Sequence, residues 1–465
     1  MAKLAEKKGH WLAFWGALCI SALVFLPFII YNHGYFFYYG DFNVQQIPFY
    51  QHAHTMVRSG QLMWDWNTDL GVNFIASYSF YLLFSPFFWL TLPFPTGVLP
   101  YLMAPLLALK TGCAALTAYL YIRRFVEDKH YAVFGSWLYA FSGFMVYNIF
   151  FNHFHEVAVF FPLMLIGLEE LLENDRKGVF AAAVAVNAIV NYWFFIGEVI
   201  FVILYFFVRT TAPGHRFRFS KLVQVAFEGL LGVGLSAVVF LPSVLAIMGN
   251  PRTGTDNLLY GWSLWVYSHP QRLPALLHAL FFPPDLASLP NFFPDHGAKW
   301  ASLAAYLPLF GMTGVLAYCG SRKGDWLKRM LLASMLMAAI PVLNSLFVLL
   351  NNSYYTRWLY MPILLMSLAT AQALTVLYDV LKYPAVITLA VGLTPNKKGD
   401  DWVIGLANYP EKVWANAAIA AASLLLVVVL VQSLREHPNF KRYTAASLAG
   451  ICLLYSVVML VEATS

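Results

Sequence analysis

The chain has 465 residues, of which 60% are hydrophobic types and only 11% are charged, with a mean hydropathy of +0.64. A water-soluble domain carries about 25% charged residues, so this composition excludes a globule that covers itself with polar groups. The net charge of +6 is modest, and the basic residues sit in a few short loops, so nucleic acid is not an expected partner.

The apolar residues come in long blocks, each near the ~20 residues that cross the hydrocarbon core as a helix. In lipid every backbone N–H and C=O must be satisfied internally, so such blocks must be helical. The period-2 alternation of a membrane barrel is absent. The expected fold is therefore all-α: a polytopic integral membrane bundle of about 11–13 transmembrane helices with aromatic-rich outer loops.

The first span falls at about 11–31. Lys3, Lys7 and Lys8 precede it and place the N-terminus in the cytoplasm. The run is too long for the apolar part of a cleaved leader, so it is expected to stay as a permanent helix. Residues 32–74 then form a polar and aromatic outer loop with Asp41, Asp65 and Asp69. Residues 75–95 are apolar but broken at Pro86 and Pro93. A full crossing here would put Arg123, Arg124 and Lys129 outside, so an interfacial or re-entrant path is expected.

Spans follow at about 98–122, 131–150 and 156–173, with a tight outer turn, Asn152-His153-Phe154-His155-Glu156, between the last two. Residues 178–209 form one apolar run, interrupted by NYWFFIGE and too long for a single crossing at roughly 1.5 Å per residue. Two short helices meeting near the outer face are expected, with Asn191 and Glu198 close to the break. A span at about 222–247 leads to a second long outer loop, 249–299, rich in Pro, Trp, Phe and His. Further spans are expected at about 301–319, at about 330–350, and in a stretch ending near Lys382.

Up to that point every short Lys/Arg-rich loop falls inside and every long aromatic loop outside. Beyond it, spans at about 413–433 and 443–461 follow a loop with Lys397 and Lys398, and their orientation is open. The chain thus divides into a main transmembrane domain, 1–382, and C-terminal helices, 383–465. The four cysteines, Cys19, Cys113, Cys319 and Cys452, lie far apart in apolar stretches. They read as small buried hydrophobes rather than a disulfide framework or metal site.

Ionisable residues at the ends of membrane helices are costly and mark candidate chemistry. Asp41 follows Gly40 about ten residues after the first span. Its carboxylate suits a general base toward an acceptor hydroxyl, or a metal ligand. It equally suits a helix N-cap ahead of Phe-Asn-Val-Gln-Gln. His153, His155 and Glu156 form a compact cluster of groups that can bind a divalent metal or relay protons, though the spacing matches no standard zinc motif. An interfacial turn with satisfied histidines explains them as well.

Glu198 interrupts an apolar run and should face the bundle interior, either with a chemical role or as the partner of a buried donor. Arg357, in Tyr354-Tyr355-Thr356-Arg357-Trp358, suits bidentate phosphate binding, or snorkelling to the headgroup level. Lys299, Arg272 and His296 are further candidates, while Asp65 and Asp69 read as turn and capping residues. No P-loop, dinucleotide fingerprint, zinc motif or nucleophile elbow is present, so ATP and NAD chemistry have no support. The cytoplasmic loops are too short for a soluble catalytic domain, which leaves the outer face or the bundle interior.

Three segments resemble the YfhO family of bacterial membrane proteins. They are Gly40-Asp41-Phe42 followed by Trp64-Asp65-Trp66-Asn67 and Ser85-Pro86-Phe87-Phe88; then Asn152-His153-Phe154-His155-Glu156; then Asn191-Tyr192-Trp193-Phe194-Phe195 with Gly197-Glu198. The outer Tyr355-Thr356-Arg357-Trp358 also fits, and the resemblance covers roughly residues 20–380. It implies a GT-C-like fold and a glycosyltransferase working on the outer side of the bacterial plasma membrane. The donor would be a polyprenyl-phosphate sugar and the acceptor an extracytoplasmic envelope glycopolymer or glycolipid, such as teichoic acid.

The essential acid of the first outer loop in GT-C enzymes would then be Asp41, with Glu156 and Glu198 as further catalytic candidates. Arg357, Lys299, His153, His155, Tyr355 and Asn191 would bind substrate. Metal use differs among such enzymes; for a divalent cation, Mg or Mn, the candidate ligands are Asp41, His155 and Glu156. Two other readings stand beside this one. A flippase or transporter of lipid-linked saccharides would need polar groups near the membrane midplane. A non-catalytic envelope-assembly protein would tolerate Asp41→Asn.

Overall fold

The computed structural model describes residues 2–248, 261–285, 300–308, 312–322, 324–350, 352–373, 395–398, 401–404, 410–434 and 436–464. The expected domain boundary at 382 lies outside the described residues. Among the described residues, six helices are long and apolar enough to cross a membrane: Gly9–Tyr31, Thr96–Ile122, Lys129–Phe150, Tyr192–Arg209, Phe219–Leu245 and Phe440–Val461. Four shorter apolar helices join them, at Phe74–Leu83, Val179–Val190, Arg272–Phe281 and Tyr360–Ala373. The protein is a polytopic helical membrane protein, and several stretches expected as single spans are divided into shorter pieces.

Helix α1 (Ala2–Tyr31) leads into the first loop, which carries α2 (Ile47–Arg58) and a small antiparallel hairpin, β1 (Trp64–Asp65) with β2 (Val72–Asn73). The proline-broken stretch yields α3 (Phe74–Tyr78) and α4 (Pro86–Trp89). The Ser85 hydroxyl caps α4 by accepting from the Phe87 and Phe88 N–H groups, and Pro86 suits the first helical position. Then come α5 (Leu99–Ile122), α6 (Lys129–Ala140), α7 (Gly143–Tyr147) and α8 (Phe154–Glu173). The 178–209 run is α9 (Val179–Val190) and α10 (Tyr192–Arg209), broken at Asn191 as its polar interruption suggests. Glu198 lies well inside α10 rather than at the break.

Helix α11 (Phe219–Met248) is a full span. The second long loop holds a helix of its own, α12 (Arg272–Phe281). Its Leu276, Ala279 and Leu280 are buried, so apolar spacing of three and four prevails over loop character here. The expected span at 301–319 is not one helix. Residues 301–307 run without helix, and only α13 (Thr313–Ser321) is helical. The irregular piece is tolerated because helices surround it and satisfy its backbone: Gly143 N–H donates to Tyr306 O (2.7 Å), Ala305 N–H to Ala279 O (3.1 Å) and Thr356 N–H to Ala301 O (2.9 Å).

Likewise 330–350 breaks at Pro341 into α14 (Trp326–Ala339) and α15 (Pro341–Leu346). Next come α16 (Tyr360–Ala373), a hairpin of β3 (Pro395–Lys398) and β4 (Asp401–Ile404), then α17 (Pro410–Leu434) and α18 (Phe440–Thr464).

The bundle is built on α1 against α5, α5 against α8, α8 against α9 and α9 against α11, with α16 filling the space between α6 and α13. Large apolar side chains stay outside, among them Trp11, Trp15 and Ile30 on α1 and Phe227, Leu230 and Val238 on α11. In water such faces would demand a partner; in a bilayer they are the solvated surface. All four cysteines are free. Cys19 is exposed on α1, contrary to the buried position expected of it, because that face of the helix looks outward.

Candidate functional site

Asp41 sits where the chain leaves α1 and turns. Gly40, at φ +58°, makes the turn, and a Cβ there would come within 3.1 Å of the Trp300 ring. Asn43 closes the turn, accepting from the Tyr38 N–H at 3.1 Å and donating to the Tyr38 carbonyl. The helical turn Phe42–Gln46 follows, but Asp41 is already in helical conformation (φ −62°, ψ −16°) and its side chain makes no capping bond. The N-cap reading therefore fails, and the carboxylate is left to other work. Burial pushes its pKa above the ordinary carboxylate range, and the nearby Arg357 charge pulls partly the other way.

Arg357 lies in an aromatic cage. Its guanidinium is 4.5 Å from the Tyr355 ring centre, 5.1 Å from Phe154 and 5.6 Å from Phe151. Nη2 donates a long 3.4 Å bond to the Trp300 carbonyl, and the buried Nε has no hydrogen-bond partner. Trp300 joins the two halves of the site: its carbonyl receives Arg357, while its ring packs against Gly40, Tyr39 (6.5 Å) and Phe150 (5.0 Å).

His153 lines the same region. Its ring lies against Phe80, Tyr81 and Phe154 at 4.9, 5.2 and 4.7 Å. Nδ1 is 3.2 Å from Gln46 Oε1, and Nε2 is buried without a partner.

The other candidates stand apart from this cage. Glu156 forms a 2.6 Å ion pair with Lys110, and both are buried. Lys110 also donates to Asn152 Oδ1 (2.6 Å) and to the Asn152 carbonyl (3.2 Å), so one ammonium ties the 152–156 turn to α5. Sequence reasoning missed Lys110, although a lysine inside the apolar 98–122 run was itself the signal. His155 Nε2 lies 2.6 Å from the Met145 carbonyl, so that nitrogen donates and cannot face substrate. Glu198 accepts from the Tyr360 hydroxyl at 2.8 Å, and its other oxygen is buried without a partner. Contacts from Tyr360 to Phe194 (6.1 Å) and Phe194 to Phe154 (4.7 Å) place Glu198 an aromatic layer below Arg357.

Asn191 caps α10 through Phe194 N–H and donates to the Phe80 carbonyl, fixing the ring that faces His153. Asp65 is a turn residue, accepting from Thr68 (2.6 Å) and the Asn67 N–H (2.9 Å) beside His52 (2.6 Å). Arg272 is held in place by the Tyr354 ring (4.8 Å). Lys299 and His296 lie outside the described residues.

A divalent cation does not fit the expected donors. Glu156 is neutralised by Lys110, His155 has only Nδ1 left over, and the expected donors do not form a group of three. Among the described residues no group of three or more His, Cys, Asp or Glu side chains is placed to hold a metal.

The profile of the family described as "Bacterial membrane protein YfhO" matches residues 13–464. The chain belongs to the YfhO family. A relative in Bacillus subtilis (strain 168), named "Uncharacterized protein YfhO", is 26% identical over 125 residues, which is 24% of this chain and 14% of the relative. Among solved structures, ArnT from Cupriavidus metallidurans bound to undecaprenyl phosphate aligns with a TM-score of 0.51 at 13% identity, covering 96% of this chain and 77% of ArnT. The apo state of ArnT aligns at 0.48 and 16% identity, covering 89% and 71%. This YfhO-family chain thus shares the polytopic helical fold of ArnT.

Proposed function

We propose that this YfhO-family protein is a glycosyltransferase that moves a sugar from a polyprenyl-phosphate donor to an envelope glycopolymer or glycolipid at the outer membrane face. The observation that carries the reading is one site with an uncommitted carboxylate, Asp41, acted on by a caged guanidinium, Arg357, that keeps an unused donor. The fold shared with an ArnT that binds undecaprenyl phosphate supports the donor class.

In the proposed reaction the acceptor hydroxyl attacks the anomeric carbon and its proton passes to Asp41. The bond from that carbon to the phosphate oxygen breaks, and polyprenyl phosphate leaves with the electron pair. Arg357 meets the charge that grows on the leaving phosphate, in a site where surrounding rings exclude water. Tyr355 holds the guanidinium in place, and His153 Nε2 is available to a sugar hydroxyl. Lys299, next to Trp300 in the chain, is retained as a second cation for the phosphate. Glu156, Glu198, His155 and Asn191 act as positioning residues. An apolar cleft of about 60 Å³ between α12, α14 and α16, lined by Leu273, Leu277, Met335 and Pro362, offers contact to a short segment of the polyprenyl chain.

The test is transfer from a radiolabelled polyprenyl-phosphate hexose by the detergent-purified full chain. Asp41→Asn is expected to lower the rate by about 10²–10⁴-fold, the range for loss of a general base. The base must be ionised, so the wild-type rate should fall as pH drops through the raised Asp41 pKa. Arg357→Gln removes the charge that holds this pKa down, so its acid limb should move to higher pH. Wild-type transfer by Asp41→Asn would remove Asp41 from the base role.

A second reading, translocation of a lipid-linked saccharide, is favoured by the buried Lys110–Glu156 pair and Glu198 inside the bundle. Movement of the intact saccharide across proteoliposomes without bond cleavage would select it.

A further inference from the structure

The far end of α8 holds a second site. This helix begins at Phe154, in the Arg357 cage, and ends at Glu173 after 20 residues. At 1.5 Å per residue that is about 30 Å, the thickness of the hydrocarbon core. At this opposite end lies a polar cavity of about 340 Å³, lined by Glu173, Arg209, Thr210, His215, Arg216, Arg218 and Lys221 over the apolar Leu172 and Phe206. Four cations and one carboxylate give the lining a net charge of +3 with His215 neutral.

The inner wall is already neutralised. Arg209 is held by Glu169 (2.8 Å) and Glu173 (2.8 Å), and Lys221 by Asp175 (2.7 Å). Arg216 and Arg218, both exposed, form no ion pair among the described residues. The N-terminus of α11, which starts at Phe219, adds its positive dipole end beside them.

The flanks decide between a lipid and a soluble anion. Phe217 and Phe219 alternate with the two arginines and are 51% and 70% exposed, and Phe207, stacked on Phe217 at 6.3 Å, is also exposed. They continue into the outward apolar face of α11 at Val223, Phe227 and Leu230. A charged cavity whose mouth opens beside a lipid-facing apolar surface is the geometry of headgroup capture at a membrane face.

We propose that this cavity binds the headgroup of an anionic phospholipid, with Arg216 and Arg218 on the phosphate and the acyl chains against Phe217, Phe219 and α11. The proposal does not depend on the glycosyl-transfer reading, because it concerns the other end of the bundle.

The test is thermal unfolding of the full chain in a neutral detergent, titrated with short-chain phosphatidylglycerol, short-chain phosphatidylcholine or inorganic phosphate. Ligand binding to the folded state alone raises Tm by mass action. Phosphatidylglycerol should raise Tm by several degrees and phosphatidylcholine should not. The Arg216→Gln/Arg218→Gln variant should keep the ligand-free Tm and lose most of the shift, while Arg216→Lys/Arg218→Lys should keep it. Equal shifts with both lipids, or an undiminished shift in the Gln variant, would overturn the site. A full shift with inorganic phosphate alone would overturn the lipid assignment in favour of a soluble phosphate ligand.

Discussion

At the scale of single residues, a buried charge is tolerated only with its partner in place. Lys110 and Glu156 are 0% and 2% exposed, and the same ammonium satisfies two Asn152 oxygens. Lys110→Met would leave a buried carboxylate without its counter-charge and Asn152 Oδ1 without its donor, with an expected loss of about 3–5 kcal/mol. Lys110→Met/Glu156→Leu removes both charges and should recover much of it. Thermal unfolding of the two variants in one detergent reads the difference; equal losses would show that the pair is not what holds the turn.

Some of this scale was legible in the sequence. Asp41 and Arg357 stood out as ionisable groups beside apolar runs, and the structure brings them into one site. The pairing of Glu156 with Lys110 was not legible, because residues 46 apart meet only once α5 and α8 pack. The cap at Asp41 failed for a local reason: with Gly40 at positive φ, the helical conformation already begins at Asp41.

At the scale of elements, the breaks follow residue chemistry. Asn191 ends one helix and caps the next, and Pro341 starts another. The non-helical piece at 301–307 was invisible to hydropathy, since a buried irregular segment and a spanning helix have the same apolar composition. What separates them is backbone hydrogen bonding to α7, α12 and Thr356 in the turn ahead of α16, which no local pattern encodes.

The α9–α11 contact is a similar case. Glu228 on α11 accepts from the Gly178 and Ala181 N–H groups (2.8 and 3.2 Å), capping α9 from a neighbouring helix. One turn along α11, a Cβ on Gly232 would come within 2.6 Å of the Ala181 carbonyl, whereas one on Gly234 would meet nothing within 4 Å. Gly232→Ala should therefore separate the helices and cost about 1–3 kcal/mol. Gly234→Ala should be neutral, or stabilising by about 0.5–1 kcal/mol through lower backbone entropy in the unfolded chain. The two melting temperatures, measured side by side, separate close packing from helix propensity.

At the scale of the whole molecule, everything proposed for the two ends of α8 depends on which membrane face each occupies. The fold supplies the distance and the charges supply the direction. One end carries the cage around Arg357. The other carries Arg124 and Arg209 in a network with Glu169, Glu170 and Glu173, and then Arg176, Lys177, Arg216 and Arg218. Basic residues near short loops are retained in the cytoplasm, so the cage should face outward.

Gln61, exposed in the first loop, and Lys177, exposed after α8, mark the two faces. In a background without Cys19, Cys113, Cys319 and Cys452, a membrane-impermeant maleimide should label Gln61→Cys in intact cells. It should reach Lys177→Cys only after permeabilisation. The reverse pattern would put Asp41 in the cytoplasm and exclude an extracytoplasmic acceptor, while labelling of both in intact cells would mean that α8 does not cross. The predicted pattern requires α5 and α8 to cross in the same direction, as their pairing at 110 with 156 and at 124 with 170 shows. The buried tie from Lys110, midway along α5, to Asn152 and Glu156 then sits at the outer end of α8, close below the cage that it helps to position.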